Sequence, residues 1–500
     1  MTGSARPQSW PFDTVLIANR GEIAARVVRT VQRLGMKAVV IYHSADRETL
    51  AVHTADQAVE ITGTPPVAAY LDAAQILSVA KATRCGAVHP GYGFLSENAA
   101  FARAVETAGL VFIGPTPEQI ELMGDKVRAR TFVERAGFPV APSAIEDDDP
   151  ATFAHRARCL GAPLLIKPSA GGGGKGMHIV RDLALLQTEM ERARSEAERY
   201  FGDGRLYVER YIERPRHIEV QVLGDNYGNV VHVFERDCSL QRRFQKIVEE
   251  TPSPALMPQQ RQDICETAAG IVRSARYRNA GTVEFIFGSS GEFYFLEMNT
   301  RLQVEHPVTE EVTGLDLVEE QLRIAAGERL GYSQAEIQAR GHAIELRLYA
   351  EDPTRGYTPT IGPILALHPP QGENVRWDSG IVRGSEVTSA FDPMLAKLIV
   401  RGNDRLDAIR RADQALRETV LLGCKTNIAF LRRLIAHPAF LAGDVHTGFL
   451  EENKQIAAEA APPVSKLQAL LAAAALSTRP LVEGADAVPK LHAAIGSWRN

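Results

Sequence analysis

The sequence predicts a mixed fold, α/β at the start of the chain and α+β after it. Three observations carry this. Short apolar strands alternate with amphipathic helices over the first 120 residues. Further on, two pairs of strand-like runs are joined through Asn-Tyr-Gly and Ser-Ser-Gly, as antiparallel hairpins are. Between these regions a cluster of Gly171, Gly172, Gly173, Gly174 and Gly176 is bracketed by two tight apolar runs, "PLLIKP" and "MHIV".

The elements follow in order. "TVLIAN" (14–19) is a short buried strand, and "GEIAARVVRTVQRLG" (21–35) is an amphipathic helix closed by glycine. "KAVVIYH" is the next strand. "DQAVEI", a helix over "LDAAQILSVAKAT", the strand "GAVHP", a helix from "SENAAFARAVETAG" and "LVFIG" complete the alternation. This pattern is an open parallel sheet wound on both faces. Ligands of such sheets lie beyond the carboxyl ends of the strands, here "NRGE", "YHSAD" and "HPGYGFLSEN".

From about Met123 the pattern changes. Helices over "DKVRARTFVERAG" and near "DPATFAHRARCLG" precede the glycine cluster, and the charged helix "ALLQTEMERARSEAERYF" and the strand "RLYVERYI" follow it. The two hairpins are "HIEVQVLGDNYGNVVHVFERD" and "GTVEFIFGSSGEFYFLEMN". A third region opens at "GHAIELRLYAEDP" and runs to about Leu450. The last fifty residues are Ala-rich with a Pro pair and read as a linker and a helix.

Composition excludes several classes. Five hundred residues exceed one simple core and imply two to four domains. A net charge of −5 gives no case for nucleic acid or an anionic membrane surface. No run approaches the roughly 20 apolar residues that span a bilayer. The opening residues hold no apolar signal core, and the five cysteines form no C-x-x-C pair. A cytoplasmic protein without disulfides or structural zinc is therefore expected.

The glycine cluster has two readings. A Gly-rich loop brings backbone N–H groups close to phosphate, because no Cβ intrudes; a flexible linker is the alternative. It is not a Walker A loop, since residue 169 is Ser and Lys175 precedes Gly. It joins two strands rather than opening a helix, which suits a lid over a nucleotide.

"GEFYFLEMNTRLQVEH" (291–306) places Glu297, Asn299, Arg301, Gln303 and Glu305 at every second position, the period of one strand face. If the hairpin turns near Ser290, Glu284 lies opposite or nearly opposite Glu297. Facing carboxylates repel, so the pair either points to solvent or, with Asn299, holds a divalent cation such as Mg²⁺. Arg301 offers a planar fork for a small oxyanion, Gln303 both a donor and an acceptor, and Glu305 a base; an ordinary Arg–Glu surface pair is the alternative. Extended, residues 297–305 would span roughly 26 Å, too long for one compact site, so the chain must bend near 300–302. Upstream, "CSLQRRFQK" supplies Gln241, Arg242, Arg243 and Lys246, a cationic segment or a solvated face.

"HPGYGFLSEN", "MGDK", "SAGGGGKGM", "ERPRHIEVQV", "ERDCSLQRRFQK", "EMNTRLQVEHPVTE" and "GHAIELRLYAEDP" occur in one order. In these motifs the chain resembles biotin carboxylase, of the ATP-grasp superfamily, from about Asp13 to Leu450. The resemblance implies a Rossmann-like N-terminal domain (1–122), an ATP-grasp domain (123–335) with a lid at about 138–212, and a C-terminal biotin carboxylase domain (336–450). Residues 451–500 would be a linker and helix, similar to the start of the bridging segment of acyl-CoA carboxylase α-subunits.

The implied reaction is ATP + bicarbonate + biotinyl carrier → ADP + phosphate + carboxybiotinyl carrier. By motif match, Lys126, Lys167, the lid glycines, Glu209, Arg210, Ile212, His217 and Gln241 would bind ATP. Glu284, Glu297 and Asn299 would bind Mg²⁺ or Mn²⁺, as two ions. Lys246, Arg301, Gln303, Val304 (through its backbone) and Glu305 would hold bicarbonate. Tyr92 and Arg347 would meet the biotin ring, and Glu305, Arg301, Lys246 and Arg347 would be catalytic. Phe244 stands where many members have His, so no role is carried onto it.

This chain holds no Met-Lys-Met tip for biotin attachment, so the implied carrier is another chain or lies beyond Asn500. A carboxyltransferase subunit and a second copy of the chain are the other implied partners. The alternatives are a different ATP-grasp ligase, of carbamoyl-phosphate-synthetase or purine-biosynthetic type, or a non-catalytic nucleotide-binding subunit. A ligase of the first kind would not need "RLQVEHP" together with "GHAIELR".

Overall fold

A computed structural model describes residues 10–146, 149–169, 176–242, 245–458 and 464–477. The chain divides into two units, Met1–Ile456 and Ala457–Asn500. In the second, a helix spans Val464–Ser477, after the Pro pair.

The N-terminal strands Thr14–Ile17, Lys37–Tyr42, Gln57–Glu60, Ala87–His89 and Val111–Phe112 form one parallel sheet. The third, second, first, fourth and fifth strands lie side by side in that order, so the winding reverses beside Thr14–Ile17. At this switch point the loops after Ile17 and His89 meet, where open α/β sheets bind ligands. Asn19 Nδ2 donates to the carbonyls of Pro90 (2.7 Å) and Tyr92 (2.8 Å) and fixes the second loop. Gly91 allows this approach: its φ is +64°, and a Cβ there would lie 2.8 Å from Asn19 Nδ2.

The lid strands form a four-stranded antiparallel sheet in the order Ser143–Ile145, Leu206–Arg210, Leu164–Pro168, His178–Val180. Leu164–Pro168 and His178–Val180 pair directly, so the glycine cluster does join two strands of a hairpin. The helix Leu186–Phe201 buries Met190, Ala193 and Ala197 against Leu164, Ile166 and Val208.

The largest sheet has eight antiparallel strands, in the order Phe293–Asn299, Asn279–Phe287, Arg216–Gly224, Val230–Arg242, Gln245–Thr251, His342–Tyr349, Met394–Gly402, Val375–Ser379. One face of its first strands, with Ile218, Val220, Val222, Val283, Phe285 and Met298, packs on Ile264, Ala268 and Ile271 of the helix Pro258–Ser274. This long helix is absent from the sequence reading; its apolar stripe is interrupted by Gln and Glu. Alternation sends His217, Glu219 and Gln221 to the opposite face, and all three are buried.

Candidate active site

The strand Phe293–Asn299 raises a problem of parity. Phe293, Phe295, Glu297 and Asn299 are all odd-numbered, so strict alternation would put both carboxylate and amide on the aromatic core face. A β-bulge resolves it. Phe285 pairs with Phe295, but the preceding residue, Glu284, pairs with Glu297, which leaves Leu296 as the extra residue. Beyond the bulge Met298 points into the core beside Val283, and Glu297 and Asn299 lie opposite Glu284 and Thr282. The facing carboxylates expected from sequence are therefore directly opposite.

The bend expected near 300–302 is present, so the five groups do not share one strand face. The strand ends at Asn299, residues 300–301 bend, 304–305 turn, and a helix begins at His306. Glu97, from the N-terminal region, holds the bend: one oxygen accepts from the Thr300 N–H (3.1 Å), the other from Arg301 Nε (2.9 Å). Arg301 also donates to Asn299 Oδ1 (2.9 Å) and Gln303 Oε1 (2.7 Å), and Gln303 donates to Glu284 Oε1 (3.0 Å). The bend folds Gln303 and Glu305 back towards Glu284, which an extended strand could not do.

Lys246 is the centre of charge. Its Nζ meets Glu219, Glu284 (2.9 Å) and Glu305 (2.7 Å), and its side chain is 12% exposed. Burial opposes its charge, yet the three carboxylates hold its pKa well above the ordinary lysine value. Burial pushes the Glu305 carboxyl up, but Lys246, Arg347 and Arg236 together hold it well below the ordinary range. Arg347 Nη2 lies 2.9 Å from Glu305 Oε2. The Val304 carbonyl accepts from Lys397 Nζ at 2.7 Å. Tyr92 donates its hydroxyl to Glu22, which also pairs with Lys397 at 3.2 Å. The switch-point loop and the eight-stranded sheet thus meet in one cluster.

The nucleotide-side residues divide into two groups. Gln241 Nε2 lies 3.0 Å from His217 Nδ1, and His217 Nε2 lies 3.0 Å from Glu284 Oε2, so this pair is continuous with the Lys246 cluster. Lys167 pairs with Glu209 on the neighbouring lid strand, and Lys126, opening the helix Lys126–Arg135, pairs with Glu297 at 3.0 Å. Both lysines lie within electrostatic reach of Tyr207 and of each other. Arg210 points away from them, its Nη2 3.3 Å from the Leu160 carbonyl, and Ile212 is half-buried just beyond the strand. Gly171, Gly172, Gly173, Gly174 and Phe244 lie outside the described residues.

Glu284, Glu297 and Asn299 are the residue types that suit a hard divalent cation, with the two carboxylates facing each other across the hairpin; here Asn299 turns its Nδ2 to Glu284 (2.8 Å) and its oxygen to Arg301 (2.9 Å). Two tighter donor groups among the described residues, His217–Glu219–Glu284 and Glu219–Cys238–Glu305, each have their ligand atoms within 4.8 Å of one another. All the carboxylates of these two groups share Lys246 as a cation, whereas the hairpin set adds Glu297, which pairs with the exposed Lys126.

The sequence pattern of the ATP-binding domain of the carbamoyl-phosphate synthase L chain matches residues 125–333. Taken alone it leaves the choice among ATP-grasp ligases open. The N-terminal and C-terminal domains of biotin carboxylase match residues 11–120 and 345–452. The chain is 50% identical over 449 residues to the biotin carboxylase of Halalkalibacterium halodurans, covering 89% of this chain and 98% of that one. This chain belongs to the biotin carboxylase family.

It is accordingly a ligase that carboxylates biotin with bicarbonate and ATP. A second relative is the mitochondrial methylcrotonoyl-CoA carboxylase subunit alpha of Mus musculus, 46% identical over 441 residues; the match covers 88% of this chain and 62% of that subunit. Among solved structures, the biotin carboxylase domain dimer of Hydrogenobacter thermophilus 2-oxoglutarate carboxylase, in complex with MgADP, ADP and bicarbonate, matches with a TM-score of 0.84 at 45% identity, over 90% of this chain and 99% of that one.

Sequence reasoning missed four charged members of this cluster. Glu219 is buried between Lys246 and Arg236. Arg236, fully buried, donates to Glu219 (2.5 Å), Gln221 (3.0 Å), Thr282 (3.2 Å) and Thr309 (3.0 Å). Glu97 and Glu249 hold Arg301 and Arg347. For Glu219 a signal existed: "HIEVQV" alternates polar and apolar as cleanly as the strand that drew attention. No local signal marks Glu97, which acts across 204 residues.

Proposed function

We propose that this chain runs the biotin carboxylation half-reaction of a biotin-dependent carboxylase through the clustered residues above, by way of carboxyphosphate. The observation that carries the assignment is the convergence of Lys246 and Arg347 on the two oxygens of Glu305. Two buried cations on one carboxylate mark where a second small anion can bind: bicarbonate can draw on Lys246 and Arg301 while Glu305 keeps a cation of its own. As Lys246 turns to bicarbonate, Glu305 loses part of the field that depresses its proton affinity and becomes a better base.

Glu305 then takes the bicarbonate proton, Gln303 and the Val304 backbone orient the anion, and its oxygen attacks the γ-phosphoryl group. Lys126, Lys167 and the lid glycines would offset phosphate charge, His217 and Gln241 would contact the nucleotide, and Glu209, Arg210 and Ile212 would border the adenine. Mg²⁺ or Mn²⁺, as two ions, would be held by Glu284, Glu297 and Asn299, and when bound supplies positive charge against the transferred phosphoryl oxygens. Carboxyphosphate breaks down to CO₂ and phosphate, and the phosphate serves as base for the biotin N1 proton. Tyr92 would border the biotin ring. Arg347 would stabilise the ureido enolate, a fixed cation aimed at developing charge. Lid closure would exclude water.

The domain limits proposed are 1–122, 123–335, 336–450 and 451–500. A biotinyl carrier, a carboxyltransferase, a second copy of the chain and a cytoplasmic setting complete the reading. Family membership and the dimer named for the Hydrogenobacter thermophilus structure support parts of it. Among the described residues, no helix is long and apolar enough to cross a membrane.

The test is bicarbonate-dependent ATP cleavage with and without free biotin and a separate biotinylated carrier. Biotin stimulation is expected. Glu305→Gln should lower turnover by about 10² to 10⁴ with the KM for ATP little changed. Near-normal turnover in that variant removes the base assignment.

A further inference from the structure

Arg347 is held from two sides. Its Nη2 donates to Glu305 Oε2 at 2.9 Å, and its Nε donates to Glu249 Oε1 at 2.6 Å. Directly opposite Glu249, on the adjoining strand His342–Tyr349, stands Glu345. Glu249 and Glu345 are both completely buried. Among the described residues, Glu249 Oε2 and both Glu345 oxygens have no hydrogen-bond partner.

Two carboxylates directly across a sheet in a dry interior do not both stay charged. One proton on the pair removes the repulsion and supplies the donor that the open oxygens lack. Burial is the main push on both groups. It is opposed at Glu249 chiefly by Arg347, leaving that carboxyl at about 7. At Glu345 it is opposed chiefly by Lys397 and reinforced by Glu249, leaving that carboxyl well above the ordinary range. Above about pH 7 the proton therefore belongs on Glu345 and the charge on Glu249.

We propose that Glu249 and Glu345 form a buried carboxylate–carboxylic acid pair that positions Arg347 from behind, independently of Glu305. The inference rests on the reading of Glu305 as base and Arg347 as the cation facing biotin. When Glu305 takes a proton, its hold on Arg347 weakens. Glu249 then keeps the guanidinium in place for the ureido oxygen, and the Glu345 proton keeps Glu249 from being repelled.

The experiment measures bicarbonate-dependent ATP cleavage in the full chain, with saturating free biotin and without it. Glu249→Gln keeps an acceptor but loses the charge. It should lower biotin-dependent turnover about ten- to a hundredfold with the KM for ATP within about twofold of wild type. Glu345→Gln is close to an isostere of a protonated acid and should retain at least about half of that turnover. A merely structural pair would make the two variants alike. Glu249→Asp restores the charge at shorter reach and should recover turnover partly; it also stands in if Glu249→Gln does not fold.

Wild-type turnover in Glu249→Gln, or equal damage in Glu345→Gln, overturns the proposal. Arg347→Lys separates the two readings. If it leaves biotin-dependent turnover intact, the role of Arg347 itself fails. If it abolishes turnover while Glu249→Gln does not, only the positioning pair fails.

Discussion

Two lysines of this protein meet carboxylates under opposite conditions. Lys126 lies 3.0 Å from Glu297, with 59% of its side chain exposed. Lys246 lies among Glu219, Glu284 and Glu305 and is almost fully buried. An exposed ion pair is screened by water and contributes little, so Lys126 can leave Glu297 for a phosphate at small cost. A buried cation cannot be removed without stranding its partners. Lys126 is thus a cation that can be borrowed, whereas Lys246, like the buried Lys167 beside Glu209, is already committed to its carboxylates.

The comparison breaks first at Lys246. Lys246→Met should abolish bicarbonate-dependent ATP cleavage and destabilise the fold by about 3–5 kcal/mol, because three buried carboxylates lose their shared cation. Activity assays and chemical denaturation check it; an unchanged midpoint would mean that the carboxylates relax by protonation alone.

At Lys126 the outcome should be the reverse. Lys126→Met is expected to raise the KM for ATP about tenfold while leaving stability within about 0.5 kcal/mol. A large loss of stability would put Lys126 in the same class as Lys246.

Glu97→Gln tests whether the bend is part of the anion site. The amide that replaces the carboxylate could still accept one hydrogen bond, so the fold should persist. The KM for bicarbonate should rise several-fold with the KM for ATP unchanged. Equal changes in both would show that the bend serves the nucleotide side as well.

The smallest effect is on pH dependence. The Glu249 carboxyl is raised to about 7 in the folded chain from an ordinary value of 4.5, burial being the main cause. A raised carboxyl contributes stability that is full below the unfolded value and lost as pH rises through the folded one. Between pH 5 and 7.5 the melting temperature of wild type should fall relative to that of Glu249→Gln, by a few degrees at most. A rise over that window would reverse the sign and exclude a raised Glu249.

Much of this architecture follows from short-range patterns. Two-residue alternation in "HIEVQV" and "TVEFIF", and strand–helix alternation over the first 120 residues, report elements with one apolar face packed on a core. Less readable were elements whose pattern is mixed, such as the helix Pro258–Ser274, and contacts whose partners are far apart in sequence. Glu97 and Arg301 are ordinary charged residues until the N-terminal loop is laid against the bend after Asn299. The sequence motifs singled out Arg301 and Arg347, but not Glu97 and Glu249, the carboxylates that aim them.

By itself the sequence determined which residue types the site would have: facing carboxylates at Glu284 and Glu297, a guanidinium and a base in "RLQVEH", and a glycine cluster between two strands. Spacing and side-chain chemistry suffice for that. Tertiary structure decided how they come together. One bulged residue at Leu296 reverses the alternation so that Glu297 and Asn299 leave the core face, and one carboxylate from the N-terminal region bends the chain so that Gln303 and Glu305 return to Glu284 and Lys246. The span of residues 297–305 required a bend, but its direction depends on a distant hydrogen bond and the bulge on the pairing partner, and neither of these is a property of the strand's own residues.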